Sequence, residues 1–226
     1  MITILHGALG SAHQFEPLQA ALGVPSRVIE FFGHGSATDV SSPWTIKLFS
    51  QQLERALESF VAEGPALIFG YSMGGYVAID CALRRPDLIA RIVTLGTKLS
   101  WSEEGAHHET KMLDAEKIEA KVPAYAVDLA RRHGQDRWRT VLTKTAVLMQ
   151  TLGAQPVLTP ERCTAISIPI RYGIGDRDEM VTLAETIAFY AATPSSELGV
   201  LPGTKHPIER VNVEVLAQHI MTFLKA

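Results

Sequence analysis

Cysteine is scarce: only 2, Cys81 and Cys163, occur in 226 residues, which excludes a disulfide framework. Both read as free, buried thiols of a reducing compartment. Neither sign of charge dominates, since 21 Lys plus Arg stand against 24 Asp plus Glu for a net charge of −3. That balance leaves no electrostatic footprint for nucleic acid. No apolar run approaches the ~20 residues of a membrane-spanning helix. The N-terminal segment MITILHGALG lacks the basic region of a signal peptide. A cytoplasmic protein without a membrane or nucleic-acid partner is expected. No P-loop is present, and His6-Gly7-Ala8-Leu9-Gly10 lacks the G-x-G-x-x-G spacing, so no nucleotide cofactor is implied. His107-His108 lies among Glu103, Glu104 and Glu109 without a complete ligand set at a known spacing, so no metal is expected there either.

The chain does have the makings of a core, with 46% hydrophobic and 20% charged residues, as in ordinary globular domains. At ~150 residues per domain, the length fits one domain plus an insertion. Strand-length apolar runs (Ile2–Leu5, Val28–Phe32, Ala66–Phe69, Ile89–Leu95, Pro169–Ile174, Glu197–Leu201) alternate with stretches of helical period. The helical stretches are Ala12–Leu22, a helix opened by Ser42-Pro43 and ended by Gly64-Pro65, Gly74–Arg85, Val181–Tyr190 and Val211–Leu224. Continuous apolar runs are what strands buried on both faces show, so the alternation predicts an α/β fold with a mostly parallel sheet between helices. Residues 98–160 break the pattern: they hold three helical pieces, Met112–Lys121, Ala124–Arg132 and Asp136–Leu152, and no convincing strand. The reading is a core of 1–97 and 161–226 with a helical cap inserted at 98–160.

The most informative segment is Gly70-Tyr71-Ser72-Met73-Gly74-Gly75, a G-x-S-x-G with a strand before it and a helix after it. A nucleophile on a sharp strand-to-helix turn has little room around it, and the glycines supply that room. The helix N-terminus below would aim backbone N–H groups at a developing oxyanion.

At this point the sequence resembles the α/β-hydrolase family over essentially the whole chain. The resemblance implies that the amide after His6-Gly7, that of Ala8, pairs with the Met73 amide as the oxyanion hole. It implies a minimal sheet of about six strands, since the chain starts almost at the His6-Gly7 strand. It also implies the order Ser, acid, His. The segment Gly175-Asp176-Arg177-Asp178-Glu179-Met180-Val181 points to Asp178 as the acid, with Asp176 as the alternative, and Leu201-Pro202-Gly203-Thr204-Lys205-His206 points to His206 as the base. Ser72, His206 and Asp178 would be nucleophile, base and orienting acid. Pro207 stands where many relatives carry an aromatic residue. His6 and His34 read as structural, His133 as a helix C-terminal cation, and His13 and His219 carry no signal.

A serine nucleophile disfavours the carboxylate-nucleophile chemistries of this fold and favours acyl transfer. The expectation is hydrolysis of small-molecule carboxylic or thio esters of small to medium apolar acyl groups. Some of Leu113, Tyr125, Trp138, Leu148 and Met149 would line an acyl pocket. The same trio serves C–C bond hydrolases and a menaquinone-pathway-type lyase in this family. Those reactions would call on Arg131, Arg132, Arg137, Arg139 or Lys144 to hold a substrate carboxylate, although such a charge run reads first as a solvated face. A slow-turnover ligand receptor is the third reading. A monomer or small homo-oligomer is expected.

Overall fold

Six parallel strands in the order β2-β1-β3-β4-β5-β6 organise the computed structural model, which describes residues 1–225. They are β1 (Ile2–Leu5), β2 (Ser26–Ile29), β3 (Ala66–Tyr71), β4 (Ile89–Leu95), β5 (Ile170–Gly175) and β6 (Ser196–Leu201). The sheet and strand number are those expected from sequence. Alternate residues of each strand feed opposite cores, as the period of 2 requires. Ile2, Ile4, Phe69 and Val93 pack with Phe15, Leu18, Ile220 and Phe223 on one face. Leu5, Ile68, Ile92 and Tyr172 pack with Phe49, Leu53, Val77 and Phe189 on the other. The first face is covered by α1 (Glu16–Leu22) and α10 (Val213–Leu224), the second by α2 (Ile46–Ser59), α3 (Met73–Arg84) and α9 (Leu183–Ala192). Burying a side chain such as Phe69, with no exposed surface, contributes roughly 1.5–3 kcal/mol.

Several boundaries differ from the sequence reading, each for a local reason. β2 ends at Ile29 and does not run to Phe32: beyond it, the Phe31 N–H donates to His6 Nε2 at 3.0 Å and the Phe32 N–H to Gln52 Oε1 at 3.0 Å, so side chains replace the ladder. α2 starts at Ile46, later than Ser42-Pro43, because the Thr45 hydroxyl caps the Leu48 N–H. The expected Ala12–Leu22 helix is a 3-10 turn, Ala12–Phe15, followed by α1 with Pro17 in its first turn.

Between β4 and β5 the regular structure is helical: α4 (Glu103–Thr110), α5 (Ala115–Lys121), α6 (Pro123–His133), α7 (Trp138–Ala154) and the short α8 (Pro160–Cys163). The sequence reading anticipated α5 to α7 and missed α4 and α8. Each of the missed pair has a hydroxyl cap, Ser102 and Thr159. Asp114 starts α5 and leaves Met112 outside it. Cys81 and Cys163 are free and buried. Among the described residues, no helix is long and apolar enough to cross a membrane, and no three His, Cys, Asp or Glu side chains gather as a metal site.

β1 lies between β2 and β3, so successive connections leave it in opposite directions. Ligands of open α/β sheets bind at such a reversal, beyond the carboxyl ends of the strands. The loops after β1 and β3 are those of Ala8 and Ser72.

Candidate active site

Ser72 follows β3 directly and precedes the first residue of α3, with φ 51° and ψ −119°. A non-glycine residue there is strained and held by its surroundings. The Ser72 N–H donates to Leu95 O at 2.9 Å, and the Ser72 carbonyl accepts from Thr97 Oγ1 at 3.1 Å and from the Gly75 N–H at 3.0 Å. The turn closes because two glycines let backbones touch. A Cβ on Gly70 would lie 2.5 Å from Gly75 Cα, and one on Gly74 would overlap the Leu5 carbonyl oxygen.

His206 and Asp178 come from the loops after β6 and β5. His206 Nδ1–H donates to Asp178 Oδ2 at 2.8 Å, with 10% and 2% of the respective side chains exposed. That bond leaves Nε2 as the acceptor. The Tyr71 hydroxyl donates to the His206 carbonyl at 2.8 Å and fixes the loop. The other Asp178 oxygen accepts the Met180 and Val181 N–H groups, each at 2.9 Å. Burial alone would raise the Asp178 pKa; the His206 hydrogen bond and charge, with those two amides, hold it below the usual carboxylate value. Asp176 does different work: it accepts the Thr204 N–H at 3.2 Å and has Arg177 3.8 Å away. Of the two candidate acids, Asp178 is the one on the histidine.

One mostly apolar pocket is lined by Ser72, Met73, Ala8 and His206 together. The Ala8 N–H donates to no group among the described residues. The Met73 N–H stands in the first turn of α3, where no intrahelical acceptor exists. Leu148 and Met149 line the pocket, with Leu152, Trp101 and Met180, which sequence reasoning missed. Trp138, Leu113 and Tyr125 do not line it; Trp138 is core, 1% exposed. Two further residues escaped notice. Gly96, at φ 59°, is where a Cβ would come within 3.0 Å of Asp178 Oδ2 and 3.2 Å of His206 Nδ1. Lys98 brings a charge to the pocket wall beside Glu109. The Gly96-Thr97 pair just past β4 was the available signal for the first.

The charges of the helical stretch divide: Arg131 and Arg139 are 60% and 49% exposed, as on a solvated face, and the other three are not. Arg132 pairs with Asp128 and Glu209 and donates to Leu9 O at 3.4 Å. Arg137 donates to Gly35 O at 2.8 Å, and Lys144 pairs with Asp39 at 2.6 Å. These side chains fasten helices to core loops, and none of Arg131, Arg132, Arg137, Arg139 or Lys144 lines the pocket.

His133 also departs from expectation. It ends α6, yet its imidazole is fully buried and neutral: Nδ1 accepts the Gly35 N–H at 3.0 Å and Nε2–H donates to Leu9 O at 3.1 Å. Desolvation there outweighs the helix dipole. His34 and His6 lie beside it, with ring centroids 5.7 Å and 5.0 Å apart along the row. His6 Nδ1–H donates to Gly7 O at 2.7 Å, and His34 stacks on Trp44. His219 is half-buried, against Gly199, and its pKa is lowered by desolvation to about 4.

Burial lowers His6 and His133 to about 4. Their folded pKa lies below the unfolded value, so the unfolded chain takes up protons first as the pH falls. Stability is full above about 6.5 and is lost between about 6.5 and 4. With His219, lowered likewise to about 4, the three together cost about 6 kcal/mol from pH 7 to pH 5. His34, also lowered by burial, adds in the same direction. The result is a drop in Tm on the order of 10 °C for a chain this long. Calorimetry at the two pH values checks this, with His133→Gln expected to show a smaller drop. An unchanged Tm would refute it.

The thioesterase-domain family matches residues 1–170. The 2-(acetamidomethylene)succinate hydrolase of Mesorhizobium japonicum is 22% identical over 256 residues, covering 100% of this chain and 88% of that protein. The sn-1-specific diacylglycerol lipase ABHD11 of Danio rerio is 26% identical over 152 residues, 65% of this chain and 46% of that one. Among solved structures, the CarC serine hydrolase of carbazole degradation superposes with a TM-score of 0.80 at 18% identity, covering 99% of this chain and 90% of that one. The enol-lactonase of Burkholderia xenovorans superposes with a TM-score of 0.77 at 18% identity, covering 100% and 91%. With the family match spanning 170 of its 226 residues, the chain belongs to the thioesterase-domain family, on an α/β-hydrolase fold.

Proposed function

We propose that this protein is a serine hydrolase that cleaves carboxylic or thio esters of small to medium apolar acyl groups through an acyl-enzyme. The observation that carries the reading is the strained Ser72, at φ 51°, sharing an apolar pocket with a His206 whose Nδ1 is held 2.8 Å from Asp178. In this reading His206 Nε2 takes the Ser72 hydroxyl proton as Oγ attacks the acyl carbon. The Ala8 and Met73 N–H groups receive the oxyanion. His206 then protonates the leaving alcohol or thiol, and water repeats the sequence to release the acid. Asp178 holds the imidazole tautomer and stabilises the imidazolium. Residues 98–160 act as a cap that supplies Leu148, Met149 and Trp101 to the acyl side of the pocket.

The relatives' own names span amide-bond, lipid and lactone substrates, and support hydrolysis more than any one substrate. C–C hydrolysis or pyruvate elimination on the same trio is less well supported. None of the arginines that would hold a substrate carboxylate lines the pocket, and the pocket's Lys98 already faces Glu109. The test is kcat/KM for p-nitrophenyl esters from acetate to long chains. A serine-dependent optimum at short to medium length is expected. Background rates throughout, with Ser72 still labelled by a fluorophosphonate, would overturn the ester reading.

A further inference from the structure

Apart from Ser72, His206 and Tyr76, the polar side chains of the pocket over Ser72 are one ion pair. Lys98 and Glu109 both line the pocket, with Nζ and Oε1 3.6 Å apart and 19% and 12% of their side chains exposed. Partly buried charges of this kind are costly unless paired and hydrogen-bonded. Here the pairing is incomplete. At 3.6 Å the contact is longer than a hydrogen bond. Lys98 has one further acceptor, the Met180 carbonyl at 3.3 Å, and sits 5.7 Å above the Trp101 ring. The Trp101 indole N–H donates back to Lys98 O at 3.0 Å, which fixes the residue. Among the described residues, the Glu109 carboxylate accepts no hydrogen bond and has Lys98 as its ion-pair partner. Two ammonium protons and the carboxylate lone pairs are therefore underused, side by side, on the wall of the pocket.

The charge count decides what fits. The pair is already neutral. A substrate carboxylate would leave Glu109 as an uncompensated anion beside it, and a substrate ammonium would do the same to Lys98. A neutral group that both accepts and donates satisfies both charges and adds none. We infer that Lys98 and Glu109 form a subsite for a neutral donor–acceptor group, a carboxamide or hydroxyl, carried by an otherwise apolar acyl chain. Lys98 donates to its oxygen and Glu109 accepts its N–H or O–H. This inference names the substrate class of the esterase proposed above and rests on that reading.

The test compares p-nitrophenyl esters of one chain length that differ only at the far tip: methyl, carboxamide, carboxylate or ammonium. Two chain lengths are used. Calorimetric Kd values are taken on Ser72→Ala, where turnover does not interfere, and kcat/KM on the wild type. The carboxamide tip is expected to bind about tenfold tighter than methyl, since a bond to a charged partner is worth that or more, with both charged tips weaker than the carboxamide. In Lys98→Met/Glu109→Gln, made so that neither charge is left unpaired, the preference is expected to vanish. A carboxylate or ammonium tip that binds tightest, or the same tip selectivity in the folded double variant, overturns the subsite. If the double variant fails to fold, Glu109→Gln alone must reduce the carboxamide preference, and an unchanged preference overturns the subsite. Ester turnover without tip selectivity would remove the subsite alone. Tip-selective binding without turnover would remove the ester reading alone.

Discussion

Ser72→Ala is expected to fold as the wild type does and to lose kcat by about 10⁴–10⁶-fold, the scale of nucleophile knockouts in serine hydrolases. The Ser72 hydroxyl caps no helix N–H, and its main chain, not its side chain, is tied to Leu95, Thr97 and Gly75. Alanine keeps those bonds and meets the same positive φ. What disappears is the atom that forms the acyl-enzyme. The residual rate would come from the Ala8 and Met73 amides and from binding. Steady-state kinetics beside a thermal melt checks both halves. Retained turnover in a folded variant would end the nucleophilic role of Ser72.

Asp178→Asn is expected to lower kcat by about 10⁴-fold, and Asp176→Asn by less than about tenfold, the range of changes distant from the chemistry. The contrast follows from three hydrogen bonds. One Asp178 oxygen accepts the Met180 and Val181 N–H groups, and the other accepts His206 Nδ1–H. An asparagine must turn its single oxygen toward the two amides. Its NH₂ then faces His206 and forces Nδ1 to accept. The proton moves to Nε2, where the ring can no longer take one from Ser72. Asp176 accepts the Thr204 N–H at 3.2 Å, which an amide oxygen can also accept, and its Arg177 neighbour is exposed. The opposite ranking of the two variants would move the acid to Asp176.

Ser72, His206 and Asp178 were legible in the sequence because each sits in a loop whose local chemistry is distinctive. Gly70 and Gly74 are dictated by contacts within a few residues or with the adjacent strand. The sheet was legible for a similar reason: strands covered on both faces are apolar at every position, so their runs stand out. What escaped depends on partners far away in the chain. Lys144 meets Asp39 across 105 positions, and His133 meets Leu9 across 124. A basic run at helical spacing gives no hint that three of its members fasten the helices down. Nor does a histidine at a helix end reveal that it turns inward and stays neutral. The start of α2 was misplaced because either Ser42 or Thr45 could serve as a cap by type. Only the Thr45 hydroxyl reaches a helical N–H, that of Leu48.

The Leu9 carbonyl is one peptide removed from the free amide of Ala8, and Leu9 is the second non-glycine residue at positive φ, 58°. Its oxygen is gripped by His133 and Arg132 from α6. The loop that carries Ala8 is thus held from outside the sheet, by two side chains more than a hundred positions downstream. In the proposed reading the helical segment would therefore hold the Ala8 loop as well as cover the pocket. Transplanting a different segment onto this core would exchange the specificity wall and at the same time slacken the Ala8 peptide. Under the proposed reading, selectivity and catalytic competence would be inherited together.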